Sequence, residues 1–126
     1  MWGQSEQDYE RVQSADQHNE GSFGHEVLAG AGSFAAFKVF EDHQRKEGKV
    51  VNHAFAKELL AGFVGGEVDK LVETKGMDWV DSEKAKHEGR RRAEEMYDQH
   101  YGNDDNYNPN NRPPPRELQN QYGNRW

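Results

Sequence analysis

His25-Glu26-Val27-Leu28-Ala29-Gly30 returns thirty-two residues later as Lys57-Glu58-Leu59-Leu60-Ala61-Gly62, and this near-repeat decides the fold. The register extends to Ser33 with Gly65, Ala36 with Val68, Lys38 with Lys70 and Glu41 with Glu73. Such a period is the length of one helix-turn-helix unit, and two copies are too few for a solenoid. It predicts two related helices in a small all-α unit.

The first predicted helix runs from Ser22, whose hydroxyl can cap it, to Glu47, where Gly48 supplies the left-handed end after Arg45 and Lys46. Its apolar positions are Val27, Leu28, Ala31, Phe34, Ala35, Phe37, Val39 and Phe40, which cover more than one stripe. An arc that wide calls for cover from two sides, in a bundle or across a dimer seam. The second predicted helix spans residues 53–75, with Asn52 as N-cap, Val51 placed to staple onto Ala56, and Gly76 as its end. Met77 would close over Val72. A third, thinner stripe of Trp79, Val80, Ala85, Ala93, Met96, Tyr97 and Tyr101 starts at Asp78 or Asp81 and stops before Gly102, with Gly89 weakening its middle.

Composition marks off the ends. One third of the residues are hydrophobic and the mean hydropathy is -1.23, so the apolar residues suffice for one small core. Residues 1–21 are rich in Gln, Glu, Asp and Ser, and residues 102–126 in Asn, Pro, Arg and Gln. The expected organisation is a flexible segment at 1–21, a helical domain at 22–101 and a disordered Asn/Pro-rich tail at 102–126. The fold expected for the domain is a small three-helix bundle built on an antiparallel helical hairpin. A unit of about 80 residues buries a modest core and gains stability by associating with a second copy.

A net charge of -7 argues against binding a phosphate backbone. The basic run Lys84, Lys86, Arg90, Arg91 and Arg92 is interleaved with Glu83, Glu88, Glu94 and Glu95, the pattern of a solvated helix face. No cysteine is present, which excludes disulfides and thiolate chemistry and suits a reducing compartment. The first residues carry neither a basic nor an apolar leader region, and the uncharged run from Val27 to Phe37 is too short to span a membrane, which takes about 20 residues. A cytoplasmic location is expected, with no nucleic acid and no membrane span.

Candidate functional residues fall into two groups. Gly30, Gly32, Ala61, Gly62, Gly65 and Gly66 each cost helix stability or side-chain burial, and small residues four apart allow helices to approach closely, within the chain or between copies. The alternative is that Gly65 and Gly66 kink or interrupt the second helix. His43 and His53 flank the turn between the first two helices and offer a metal or ligand site, with Glu67 as a carboxylate on an apolar surface in need of a partner such as Lys70 or Lys38. No histidine pair has the spacing of a helical zinc motif, and no serine stands in a nucleophile elbow, so neither a cofactor nor an enzymatic activity is expected.

The chain resembles the fungal CipC-like antibiotic-response proteins, a domain of unknown function. The resemblance is carried by residues 25–31, by Phe40-Glu41-Asp42-His43, most strongly by residues 53–63, and by residues 67–76 and 84–87. It implies a small cytoplasmic stress-response protein and transfers no catalytic residue. Two readings follow. In the first, the protein is non-enzymatic and self-associates, as a dimer, or binds a protein partner through its small-residue faces. In the second it carries a small molecule or metal in an apolar pocket lined by Phe34, Phe37, Phe63 and Trp79, with His43 and His53 at its mouth.

Overall fold

The computed structural model describes residues 2–14, 25–75 and 79–123. Among these the protein is all-α, with helices α1 (Trp2–Ser14), α2 (His25–Glu47), α3 (His53–Lys75), α4 (Trp79–Tyr101) and α5 (Arg116–Tyr122). A single antiparallel bridge, Val51 to Tyr107, is the extended pairing found among the described residues. No described helix is long and apolar enough to cross a membrane.

The expected boundaries of α2 and α3 follow from local chemistry. Gly48 takes φ +71, a conformation that costs glycine nothing, and its N–H donates to the Gln44 carbonyl to close α2. Asn52 Oδ1 accepts the Phe55 N–H at 2.7 Å, which caps α3. α3 runs without interruption across Gly65 and Gly66. The caps expected at Ser22, Gly76 and Asp78, and the side chains of Trp79 and Asp81, lie outside the described residues, as does Met77.

α2 is the central element, in contact with α1, α3, α4 and α5, while α3 also contacts α4. Phe34, Phe37 and Phe40 are fully buried, which explains the wide apolar arc. The second side of α2 is covered from within the chain rather than by a dimer seam. Trp2 of α1 packs edge-on against Phe37 with ring centroids 4.6 Å apart and reaches Phe34 at 6.2 Å. Its indole N–H donates to the Met96 carbonyl of α4 at 2.9 Å, so one side chain ties α1, α2 and α4 together.

The described parts of both ends carry structure. Residues 2–14 form a helix whose Trp2, Ser5, Asp8 and Val12 are buried, at helical spacing that polar neighbours conceal. Residues 102–123 also pack onto the bundle: Tyr107 and Leu118 are fully buried, and Tyr122 of α5 stands against Phe34 and Tyr9. Low hydropathy did not prevent folding because each segment needs only a few apolar anchors when a preformed surface receives them.

Trp2→Ala is expected to destabilise the protein by about 3 to 5 kcal/mol, through the lost aromatic packing and the lost indole hydrogen bond, as measured by urea denaturation.

Candidate functional site

The small residues divide into inward and outward sets. At Gly32 a Cβ would stand 2.6 Å from Val68 Cγ2, so this glycine permits the close approach of α2 and α3. A Cβ at Gly30 would fall 2.0 Å from Asp8 Oδ2 and 2.7 Å from Arg92 Nη1. Those two atoms form a 3.0 Å ion pair that links α1 to α4 across the back of α2, with both side chains largely buried. Gly65 is buried with Arg90 Nη2 at 3.0 Å from the Cβ position, and Ala61 offers its carbonyl to Arg90 Nε at 3.5 Å. Gly62 and Gly66 are different, because both are exposed and nothing lies within 4 Å of either Cβ position.

Around Gly62 the surface of α3 is apolar. Phe55 is 50% exposed, and with Glu58, Leu59, Gly62 and Phe63 it lines an open groove. Leu59 and Phe63 are half-buried against the core, which fixes the groove floor. His43 of α2 lies at its margin, exposed, with its ring 6.0 Å from that of Phe63. A large half-exposed apolar ring in one groove with an unfilled glycine position, and a second such glycine one turn further along, is the arrangement that accepts another surface.

The other notable cluster is buried and holds the chain's own C-terminal segment. Glu41 is fully buried and accepts hydrogen bonds from the hydroxyls of Tyr101 and Tyr107, the latter at 2.7 Å. Arg45, one turn along α2, stands 3.5 Å from the carboxylate and donates to the carbonyls of Pro109 at 3.0 Å and Arg112 at 2.8 Å. Burial outweighs the Arg45 charge and the two phenol donors and holds the Glu41 carboxyl above its ordinary value. Burial, reinforced by Glu41, pushes both phenols upward, so they remain hydrogen-bond donors.

His53 and His100 join this clasp, whereas His43 does not. His53 makes 2.6 Å contacts from Nδ1 to the Tyr97 hydroxyl and from Nε2 to the Asp104 carbonyl, so its Nε2–H donates to the latter. His43 Nδ1 is bonded to Gln44 Oε1 at 2.9 Å. The two rings thus have separate partners, and no group of three His, Cys, Asp or Glu that could hold a metal occurs among the described residues. His100, kept below its usual value chiefly by burial, contacts the Pro113 carbonyl, and Arg112 pairs with Asp104 at 2.6 Å. Glu67 pairs with Lys70 at 3.6 Å. Of the expected pocket residues, Phe34 and Phe37 are buried with Trp2 packed against both, Phe63 lines the open groove on α3, and the side chain of Trp79 lies outside the described residues.

Sequence reasoning passed over Glu41, Tyr101 and Tyr107. The available signal was Glu41 one turn beyond Phe37, a carboxylate continuing a buried stripe, with Arg45 a further turn along. The partnership with Tyr101 and Tyr107 spans 60 and 66 residues and leaves no local trace.

A protein-family model described as "Virulence factor CipC-like" matches residues 8–100, from the middle of α1 nearly to the end of α4. The match therefore starts earlier than residue 22. No curated protein and no solved structure matches the chain.

Gly62→Ala or Gly66→Ala is expected to raise the stability of the single chain by about 0.5 to 1 kcal/mol, since alanine favours the helix and meets no atom. Gly32→Ala should lower it by about 1 to 3 kcal/mol, because Val68 is stiff and must move. Thermal unfolding in dilute solution separates the two sets. For Glu41, a raised folded value means that its stabilising contribution is complete below the unfolded value of 4.5 and is lost as pH rises through the folded one. The stability of the wild type relative to Glu41→Gln should accordingly fall as pH rises above 4.5, measured by urea titration at each pH.

Proposed function

From the chain's place in the CipC-like virulence factor family, to which it belongs, we propose that this protein is a non-enzymatic stress- and antibiotic-response protein that acts by associating with another protein surface. In this reading α2 and α3 serve as an antiparallel hairpin, α4 closes a three-helix bundle, and α1 and the C-terminal segment seal it. The bundle then works as a rigid cytoplasmic platform. The exposed face of α3 is the working surface.

The observation that carries the reading is the exposure of Phe55 beside Gly62 and Gly66. Fourteen aromatic residues are present in the chain, and Phe55 stands out among the described ones as an exposed large hydrophobic on a well-formed helix. A monomer gains nothing from either feature: the ring is not buried, and alanine would serve the helix better than glycine. Both make sense where a partner helix approaches closely and covers the ring.

Native mass spectrometry of the protein from its own source tests this reading. The expected spectrum shows an assembly of two or more protein chains with no additional retained mass, and Phe55→Ser reduces it to the single chain. A single chain carrying a stoichiometric metal or small molecule would overturn the association reading in favour of a carrier.

A further inference from the structure

The exposed stripe of α3 changes character halfway along its length. Its first part presents Phe55, Glu58 and Leu59, and its second part presents Gly62, Gly66 and Lys70. The first half is bulky and carries Glu58, whereas the second is shallow and carries Lys70, with Glu73 one turn beyond it. Two identical stripes are therefore complementary only when they run in opposite directions.

Building on the association reading above, we propose that the partner of this face is a second copy of the chain, docked through α3 against α3 in antiparallel order about a two-fold axis. The axis falls near Gly62 and Phe63, midway between Phe55 and Lys70. In that arrangement Leu59 of one copy lies over Gly66 of the other, where no atom within 4 Å competes for the space. Phe55 lies over the alkyl stem and ammonium group of Lys70 in the other copy, a cation–π geometry. Glu58, one turn from Phe55, faces the same ammonium group. Because the contact is isologous, every one of these pairs occurs twice.

The charges favour this occupant over an unrelated apolar helix. Glu58 makes no ion pair among the described residues. Lys70 is 75% exposed and has an intrachain carboxylate, Glu67, only at 3.6 Å. By contrast, neighbouring charges on the flanks are engaged at close range, Lys57 with Asp98 at 2.6 Å and Asp69 with Lys86 at 2.7 Å. Glu58 and Lys70 are thus of opposite sign and lie toward opposite ends of one stripe, about 18 Å apart at 1.5 Å per residue. A parallel pairing would set Glu58 on Glu58 and Lys70 on Lys70, and would put Leu59 on Leu59 with the space at Gly66 unfilled. Antiparallel order satisfies charge and shape together.

Charge exchange tests the pairing without disturbing the fold, since Glu58 is exposed and Lys70 mostly so. Wild-type protein, Glu58→Lys, Lys70→Glu and an equimolar mixture of the two variants are compared by sedimentation velocity and native mass spectrometry, with circular dichroism as the folding control. Each variant alone places like charges together twice and should dimerise about tenfold more weakly or worse. The mixture should form the heterodimer selectively. There the charge introduced in one variant faces the opposite charge introduced in the other, while the native Lys70 and Glu58 still meet at the second contact.

A wild type that stays monomeric at about 100 μM overturns the proposal, that being a weak limit for a specific homodimer. Two variants that dimerise as well as the wild type, or a mixture with no preference for the heterodimer, overturn it equally. If the chain alone is monomeric while the native protein is found joined to a different protein through Phe55, the self-pairing fails and the association reading stands.

Discussion

The burial of the wide apolar arc of α2 is the constraint from which the architecture follows. Phe34, Phe37 and Phe40 together with Leu28 and Ala36 are fully enclosed, and no single neighbouring helix can cover so wide an arc. α3 and α4 take one part of it. α1 takes the remainder by inserting Trp2 and Tyr9 among the phenylalanine rings, and α5 adds Tyr122. Removing α2 from water is thus the shared purpose of every other helix, and segments that would not fold alone acquire structure by completing its cover.

The same constraint produces the buried polar end. Where α2 approaches its C-terminus, its inward stripe continues into Glu41 instead of another apolar residue, and a carboxylate there is costly unless it is surrounded by donors. Tyr101 and Tyr107 supply them. Tyr107 is reached only by folding residues 102–107 back beside Val51, so satisfying one carboxylate organises a segment outside the helices. Arg45 extends the effect by holding the Pro109 and Arg112 carbonyls. Histidines that look like ligands in the sequence help in the same way, since His53 and His100 bind carbonyls of this segment.

With the apolar arc of α2 covered, α3 is the helix that presents a large exposed hydrophobic, Phe55, among the described residues. Its glycines illustrate how little a residue type says about its use. Gly65 is buried under Arg90, while Gly62 and Gly66, three positions before it and one after, face outward with open space around them. A helix whose inward face is complete and whose outward face combines a free aromatic ring, vacant glycine positions and unmatched charges has the makings of an interface.

Local rules sufficed for much of this molecule. The α-helical class, the span of α3, the Asn52 cap and the left-handed Gly48 were legible because they depend on neighbours within one turn. The width of the α2 stripe likewise announced that cover was needed from two sides. Whether that cover came from the chain's own ends or from a second copy was decided only in three dimensions. Trp2 reaches Met96 across 94 residues, and its polar surroundings hide an i, i+3 pattern that becomes meaningful only against the α2 surface. The candidate site followed the same division: the sequence identified the glycines as a group, but the direction each one faces depends on helix rotation, which side-chain packing sets. Local chemistry determines what a segment can form, while the choice of which faces meet rests on burial and hydrogen bonding between residues far apart in the chain.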